Sequence, residues 1–249
     1  MNILVLGAGL VGCYFAREAM ERGHQVGLYD VAPNDRYIGS VAPGVSVVRG
    51  DVRDLPAIVE TIQGHRADAV FLNAGIIGGK AEERPYTTLS VNVGGAIATA
   101  EAARLTGVRR LVFASTFGVY NWDLPPTAPV TEDFPVAGNV FYSGSKVACE
   151  RILRAYGNKY GIRVAILRFA VVYGRGHYAG GAAAGQVLHE AIEAAQAGRP
   201  VRLDARVSDL TEYVYVKDVV QGVLLACEKP LQNAVFNIGT GALTGRQDV

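Results

Sequence analysis

Residues 3–12 read Ile-Leu-Val-Leu-Gly-Ala-Gly-Leu-Val-Gly, an apolar run that meets three glycines with the spacing Gly-x-Gly-x-x-Gly. The run Ile3–Leu6 predicts a buried strand, and Val11–Glu21 predicts a helix directly after the glycines. Glycines between a strand and a helix let the backbone turn tightly and approach a pyrophosphate, while the helix N-terminus supplies free N–H groups. A tight turn without a ligand is the alternative that this motif leaves open.

Further apolar runs alternate with helical stretches along most of the chain. Near-continuous apolar strands that alternate with helices predict an α/β fold with a doubly wound, Rossmann-like parallel sheet. Ligands of such a fold bind at the carboxyl ends of the strands. The other predicted strands are Gln25–Tyr29, Val45–Val48, Ala69–Leu72, Leu111–Ala114 and Val164–Leu167, and the other predicted helices are Leu55–Ile62, Val93–Leu105 and Tyr142–Tyr160.

The C-terminal part differs from the rest in composition. Its section Gly174–Ser208 is rich in glycine and alanine and contains a predicted helix at about Gly185–Ala197, and a predicted strand follows at Tyr213–Val216. We therefore predict that residues 1–172 form a dinucleotide-binding domain and that residues 173–249 form a small substrate-binding lobe, partly interleaved with the sheet. The longest irregular stretch, Asn121–Asn139, carries several prolines, and a loop of this kind in a compact domain is more often functional than idle.

The composition excludes several classes of partner. The formal net charge of the 249 residues is +1, so no general attraction to nucleic acid or to an anionic membrane is expected. The sequence contains no run of about 18 apolar residues, so no membrane-spanning helix is expected. Residues 1–6 lack the features of a signal peptide. Cys13, Cys149 and Cys227 lie too far apart for a metal motif, which predicts reduced thiols in a cytoplasmic protein without a bound metal.

Acidic residues follow two of the predicted strands. Asp30 comes 18 residues after Gly12, where a carboxylate accepts hydrogen bonds from both hydroxyls of an adenosine ribose and repels a 2′-phosphate. This arrangement favours NAD over NADP, although Arg36 would weaken the preference if it turned inward. Asp51 follows the third strand and is a candidate partner for the adenine amino group, whereas Asp54 is a candidate helix cap.

Tyr142 and Lys146 open a long predicted helix. Positions four residues apart are neighbours on a helix, and a lysine ammonium beside a tyrosine is expected to lower the phenol's pKa from about 10 toward neutrality. Such a tyrosine exchanges a proton with a substrate hydroxyl while hydride moves to or from nicotinamide. The same spacing occurs at Tyr213 and Lys217, but in an alternating stretch typical of a strand, where these side chains lie roughly 13 Å apart.

Two hydroxyl residues, Ser115 and Thr116, directly follow the predicted strand Leu111–Ala114. A hydroxyl at the carboxyl end of a strand can bond a substrate oxygen and stabilise its developing charge. The alternative is that Ser115 and Thr116 only begin the loop after the strand and have no catalytic role. Among the four histidines, His177 is the one that lies where substrate is expected, because it follows a predicted strand end at Gly174.

These motifs resemble, in their order along the chain, those of the extended short-chain dehydrogenase/reductases, the NAD-dependent epimerase/dehydratase family. The resemblance covers essentially the whole chain and is specific for the family, although not for a substrate. Besides the glycine loop, Asp30 and Asp51-Val52, the matching motifs are Leu72-Asn73-Ala74-Gly75, Asn92-Val93, Phe113-Ala114-Ser115-Thr116, Tyr142 with Lys146, Leu167-Arg168-Phe169, Tyr173-Gly174, Val216-Lys217-Asp218-Val219 and Asn237-Ile238-Gly239.

The resemblance implies roles for these residues. Tyr142 and Lys146 would carry proton transfer with Thr116, and Ser115 is the reserve hydroxyl. Arg175 and His177 are candidate substrate contacts. The family commonly forms homodimers through two helices, here those around Val93–Leu105 and Tyr142–Tyr160. The implied cofactor is NAD, and its implied binding residues are Gly7, Gly9, Leu10, Val11, Gly12, Asp30, Asp51, Val52, Ala74, Asn92, Tyr142, Lys146 and Phe169.

Three departures from the family pattern reduce the number of reactions and substrates expected for this chain. Phe117-Gly118 replace the Asp-Glu that follows the catalytic Thr in the family's dehydratases, so dehydration is not expected. Val171-Val172 replace an Asn that many nucleotide-sugar enzymes keep. Thr211 stands where those enzymes keep an Arg for the diphosphate, although Arg202 or Arg206 could substitute for it.

We therefore expect an NAD-dependent dehydrogenase that acts on a secondary alcohol of a small polar or sugar-like molecule. A sugar or nucleotide-sugar epimerase with tightly bound NAD is the alternative. A non-catalytic NAD-binding regulator is a third candidate, which the intact set of Thr116, Tyr142 and Lys146 disfavours. Family members usually continue beyond the point where this chain ends, which predicts either a short substrate lobe or a longer natural chain.

Overall fold

The computed structural model describes residues 1–124, 129–176, 183–200 and 210–245. Its centre is a sheet of seven parallel strands, β1 (Asn2–Leu6), β2 (Gln25–Asp30), β3 (Ser46–Arg49), β4 (Ala69–Leu72), β5 (Arg110–Thr116), β6 (Arg163–Phe169) and β10 (Ala234–Ile238). Their order across the sheet is β3-β2-β1-β4-β5-β6-β10. The chain therefore winds outward in both directions from the boundary between β1 and β4, which confirms the predicted doubly wound fold.

Helices cover both faces of this sheet. In chain order, the helices of the described residues are α1 (Leu10–Glu21), α2 (Asp35–Val41), α3 (Leu55–His65), α4 (Gly79–Glu83), α5 (Pro85–Leu89), α6 (Gly95–Thr106), α7 (Phe141–Tyr160), α8 (Ala183–Gln196) and α9 (Val216–Glu228). A π-helical turn, Ser90–Gly94, leads into α6, and a short 3-10 turn, Phe117–Val119, follows β5.

The alternation of side chains along β1 divides the core into two layers. Ile3 and Val5 point to one face and pack with the buried side chains of α1 and α9. Leu4 and Leu6 point to the other face and pack with α3, α6 and α7. All four side chains are at most 1% exposed, so this strand carries no polar face, as expected for a parallel strand covered on both sides.

Several elements differ from the sequence-based expectation. The strand β10 was not predicted because it lies at the edge of the sheet and is only half-buried, so it lacks a continuous apolar run. The helices α2, α4 and α5 are too short, at seven, five and five residues, for a periodic pattern to develop.

The C-terminal part contributes both to the central sheet and to smaller pairs of strands. Within it, β10 joins the sheet beside β6, and α9 packs against α1. The short strands β7 (Val171–Tyr173) and β9 (Tyr213–Tyr215) pair in parallel, and β8 (Leu210–Thr211) pairs antiparallel with β11 (Thr244–Gly245).

No helix within the described residues is long and apolar enough to cross a membrane. The three cysteine thiols are free and buried. Burial raises the pKa of Cys13 and of Cys227 to about 12 and that of Cys149 to about 11. These thiols are therefore protonated at neutral pH and act as small apolar side chains.

We expect Leu4→Ala to lower the free energy of unfolding by about 2–5 kcal/mol, because it removes a side chain that is 1% exposed and leaves a cavity. Urea denaturation followed by circular dichroism measures the change. Leu225→Ala is the matched control: that leucine is 50% exposed on α9, so its substitution should change the free energy by less than about 0.5 kcal/mol. Equal losses in the two variants would contradict the assignment of the core.

Candidate active site

The glycine loop lies at the carboxyl edge of the sheet, between β1 and α1. Gly7 has a φ of +109°, and a β-carbon there would lie 2.7 Å from the backbone nitrogen of Ala74. A β-carbon at Gly12 would meet the carbonyl oxygen of Gly7. Side chains are therefore excluded at both positions, and the loop leaves its backbone open to a ligand.

The N-terminus of α1 differs from those of its neighbours. The helices α2 and α3 are closed by the side chains of Asn34 and Asp54, which accept hydrogen bonds from Tyr37 N–H and Ala57 N–H. Asp54 thus acts as the cap that its position in the sequence suggested. Within the described part of the chain, no side chain caps α1. Its first N–H groups remain available to an anion, as the binding of a pyrophosphate requires.

The carboxylate of Asp30 lies beside the glycine loop. One oxygen accepts a hydrogen bond from Ala8 N–H and the other accepts one from Ala32 N–H, both at 2.8 Å. Each carboxylate oxygen keeps further capacity to accept a hydrogen bond, so the group fits the hydroxyls of a ribose. Arg36 is exposed on α2.

Asp51 and Val52 follow β3. The Asp51 carboxylate accepts two hydrogen bonds from the guanidinium of Arg53, at 2.9 and 2.5 Å, and these bonds lower the pKa of Asp51. Val52 is buried and packs over Gly95, where a β-carbon would lie 2.7 Å from its Cγ1. The fork of Arg53 on Asp51 was not anticipated from the sequence.

The segment after β4 is fastened to the π-helical turn by Asn92. The buried Asn92 amide accepts a hydrogen bond from Ile76 N–H at 2.8 Å and donates to Ile76 C=O at 3.1 Å. It also donates to the hydroxyl of Ser145 at 2.9 Å. Asn92 therefore connects the predicted cofactor side of the site with α7.

Thr116 and Tyr142 meet at the carboxyl end of β5. The Thr116 side chain lies close enough to Tyr142 to lower the pKa of its phenol, although burial raises that pKa more. Thr116 Oγ1 also accepts a hydrogen bond from Gly118 N–H at 3.1 Å, which fixes the hydroxyl at the start of the 3-10 turn. The structure thus brings together the two groups proposed from the sequence for oxygen binding and proton transfer.

The expected effect of Lys146 on Tyr142 is wrong for this structure. Burial raises the pKa of Tyr142 to about 12. The Lys146 ammonium donates to the carbonyl oxygen of Ala114 at 2.8 Å and lies 5.9 Å from the centre of the Tyr142 ring. Burial also lowers the pKa of Lys146. The sequence argument considered the spacing of the two residues but not the loss of solvent around them.

Ser115 lies beside Thr116 in the chain but has a different environment. Its hydroxyl is buried and donates to the Glu150 carboxylate at 2.5 Å. The same carboxylate accepts hydrogen bonds from the Arg168 guanidinium at 3.1 and 2.8 Å, which makes a buried ion pair. Thr116, not Ser115, is therefore the hydroxyl that interacts with Tyr142. Phe169 is paired with Thr116 in the sheet register, and its side chain is buried in the core.

The remaining candidates lie around the loop after β7. Arg175 is exposed, and its carbonyl oxygen accepts hydrogen bonds from Tyr14 and Tyr37 at 3.3 and 3.4 Å. His177 lies outside the described residues, as do Arg202 and Arg206. Tyr213 lies in β9 and Lys217 is exposed in the first turn of α9, so the second Tyr-x-x-x-Lys pair spans a strand end and a helix start.

A family model for the NAD dependent epimerase/dehydratase family matches residues 3–239. The chain belongs to this family. As an enzyme of the epimerase/dehydratase family it uses NAD, and the non-catalytic regulator left open by the sequence is not supported.

Named relatives of this epimerase/dehydratase family member include a UDP-glucose 4-epimerase of Mycolicibacterium smegmatis, which is 32% identical over 100% of this chain and 80% of its own. A UDP-glucose 4-epimerase of Thermus thermophilus, crystallised in complex with NAD, superposes with a TM-score of 0.87 at 33% identity and covers 100% of this chain and 80% of its own. The UDP-glucose 4-epimerase of Thermotoga maritima, crystallised with UDP-glucose, superposes with a TM-score of 0.88 at 26% identity and the same coverage.

Several residues of this epimerase/dehydratase site had no signal in the sequence. Arg53 and Glu150 acquire their partners only when strands and helices pack, and a lone charged residue in a sequence is usually read as solvated. Glu82, which contacts the backbone of Tyr142 at 2.9 Å, lies 60 residues away from it in the chain. Proximity of this kind follows from topology and not from spacing.

We expect this family member to bind NAD at least tenfold tighter than NADP. A 2′-phosphate would lie against the Asp30 carboxylate, and the repulsion of like charges costs more than the ~1.4 kcal/mol that a tenfold difference represents. Titration calorimetry with both cofactors measures the ratio, and Asp30→Asn should reduce it. Equal affinities, or tighter binding of NADP by the unaltered protein, would contradict the proposed role of Asp30 in binding the ribose.

Proposed function

We propose that this enzyme transfers hydride at a secondary alcohol or ketone of a small polar or sugar-like substrate. The observation that carries the proposal is the position of the Thr116 hydroxyl beside Tyr142 at the carboxyl end of β5, where it lowers the pKa of the phenol. Lys146 stands next to this pair, and its ammonium would lie 3.6 Å from a β-carbon at Gly75. The absence of a side chain at Gly75 leaves room for a ligand beside the lysine.

The glycine loop, the uncapped N-terminus of α1 and Asp30 fit the pyrophosphate and the adenosine ribose of NAD. When bound, NAD supplies the acceptor or the donor of the hydride. The other chemistry belongs to the chain itself. Thr116 holds the substrate oxygen by a hydrogen bond, and Tyr142 exchanges a proton with that oxygen. Lys146 is directed to the site by the carbonyl of Ala114 and contributes positive charge there.

The raised pKa of Tyr142 gives proton transfer a direction. A phenol with a pKa of about 12 is protonated at neutral pH, so in this state Tyr142 is ready to donate a proton to a ketone oxygen. Acting as a base requires additional positive charge near the phenol, because an opposite charge favours the ionised form.

Water loss does not fit this site. The residues that follow Thr116 are Phe117 and Gly118, which form the short 3-10 turn and carry no acidic group. Oxidation, reduction and epimerisation need no such second acid. We therefore place the protein with the enzymes of its family that move hydride without dehydration.

An epimerase is the second candidate, because two UDP-glucose 4-epimerases resemble this chain over its whole length. An epimerase returns the hydride to the opposite face of the same carbon and forms no net NADH, whereas a dehydrogenase releases NADH. Absorbance of NADH during incubation with NAD and a set of alcohols, sugars and sugar acids separates the two reactions.

Tyr142→Phe should lower turnover about a hundredfold to ten-thousandfold, because the phenol oxygen is lost while the ring keeps its packing. The affinity for NAD should change little. Turnover is read from NADH formation, or from product ratios if the enzyme is an epimerase. Tyr213→Phe, in the second Tyr-x-x-x-Lys pair, is the matched control and should be nearly silent. Equal losses in the two variants would mean that the wrong pair was chosen.

The substrate class follows from the groups that would hold it. A diphosphate needs charge-assisted donors, of which an arginine fork is the strongest. Thr211 occupies the position where the family pattern has an arginine for this purpose. The exposed side chain of Arg175, with His177, would suit one carboxylate or phosphate, as in a sugar acid or a small hydroxy acid. We propose residues 173–249 as the part that binds this substrate.

We expect uridine and thymidine diphosphates to bind weakly, with dissociation constants of ~1 mM or above, which corresponds to about −4 kcal/mol or less favourable. Competition of these diphosphates against turnover of the NAD-loaded enzyme measures the affinity. Inhibition at micromolar concentrations would mean that Arg202 or Arg206 binds the diphosphate, and the epimerase would become the leading function.

We also propose a homodimer formed through α6 and α7. Ile97 and Leu105 lie two turns apart on α6 and are 42% and 53% exposed, and Tyr160 at the end of α7 is 52% exposed.

The buried, uncharged thiols fit a reducing compartment, so the cytoplasm is the proposed location of the protein.

A further inference from the structure

The N-terminus of α7, the helix that carries Tyr142 and Lys146, is closed by a side chain from a distant segment. Glu82 lies on α4, and its two carboxylate oxygens accept one hydrogen bond each. Phe141 N–H donates to Oε2 at 3.1 Å, and Tyr142 N–H donates to Oε1 at 2.9 Å. One of the two bonds is therefore made to the backbone of the proposed proton-transfer residue itself.

A helix that begins without its own cap needs an external acceptor. The first N–H groups of a helix have no partner within it, and the residue just before the helix usually supplies an oxygen. In α7 that residue is Val140, whose side chain carries no acceptor. The helices α2 and α3 supply their own caps, Asn34 and Asp54. A carboxylate at a helix N-terminus is also favoured by the helix dipole.

The segment that holds Glu82 is also linked, through Asn92 and Ser145, to the carbonyl group of Tyr142. Asn92 bonds Ile76, at the start of this segment, and donates to the Ser145 hydroxyl. Ser145 in turn donates to the carbonyl oxygen of Tyr142 at 2.6 Å. The chain between β4 and α6 thus holds Tyr142 at its N–H through Glu82 and at its C=O through Ser145.

We propose that Glu82 is a positioning residue that holds the first turn of α7, and with it Tyr142, in the geometry required for proton transfer. The proposal rests on the proposed function for its catalytic consequence, whereas the structural consequence stands by itself. Glu82 is exposed and does not reach the reacting groups. It acts through the backbone of the tyrosine and not through contact with substrate.

The structural consequence is tested by amide hydrogen exchange in the full chain. In Glu82→Ala the exchange of the Phe141 and Tyr142 amides should become about tenfold faster or more, because both lose their acceptor. Exchange in α3, which has its own cap, should be unchanged. Glu83→Ala is the matched control, since Glu83 is an exposed glutamate on the same helix and should leave these amides as they are. Unchanged exchange in Glu82→Ala would overturn the proposal.

The catalytic consequence is tested by turnover of the same variants. Glu82→Ala should lower kcat about tenfold while KM for NAD changes less than about twofold, a split that general destabilisation would not produce. Glu82→Gln keeps one of the two oxygen acceptors and should recover part of kcat, and Glu83→Ala should match the unaltered enzyme. Faster exchange with an unchanged kcat would overturn the positioning role. If the unaltered protein shows no turnover at all, the proposed function fails, and the exchange result still decides whether Glu82 holds the helix.

Discussion

The site depends on the close approach of two backbones at the carboxyl edge of the sheet. A β-carbon added at Gly7 would lie only 2.7 Å from the backbone nitrogen of Ala74. The absence of a side chain at Gly12 likewise leaves room for the carbonyl group of Gly7. These contacts bring together the ends of β1 and β4 and the N-terminus of α1, at the place where the winding of the sheet reverses. Larger residues would push these elements apart, and the proposed anion site between them would be lost.

A buried ion pair holds the proposed catalytic strand and helix behind this edge. Glu150 on α7 pairs with Arg168 on β6 and accepts a hydrogen bond from Ser115 on β5. Arg168 also donates to the carbonyl of Glu132, so part of the long loop after β5 is tied to the same pair. Loss of one partner would leave a buried charge without compensation, which is costly. The network therefore fixes β5 and α7, which carry Thr116 and Tyr142, relative to each other.

Burial and charge act in opposite directions on the proposed proton donor. Burial raises the pKa of Tyr142 to about 12, while the neighbouring Thr116 side chain lowers it by a smaller amount. The same burial lowers the pKa of Lys146. A site with little solvent strengthens each hydrogen bond that it makes, but it also makes an unbalanced charge expensive. The state of the tyrosine is thus set by what surrounds both residues and not by their separation along the helix.

The sequence by itself determined the doubly wound sheet, the family and the use of NAD. These predictions rest on apolar strands, on the Gly-x-Gly-x-x-Gly spacing and on the ordered motifs from Asp30 to Asn237. Each of these is a pattern of residues close together in the chain, and such patterns can be recognised from the sequence alone. The juxtaposition of Thr116 with Tyr142 was also anticipated, because the carboxyl ends of parallel strands and the N-termini of the helices beside them lie at the same edge of the sheet. Only the tertiary structure decided that Ser115 donates its hydrogen bond to Glu150, that Glu82 closes the N-terminus of α7, and that burial raises the pKa of Tyr142. Each of these depends on contacts between segments far apart in the chain and on the exclusion of water, and neither quantity is encoded in the spacing of residues.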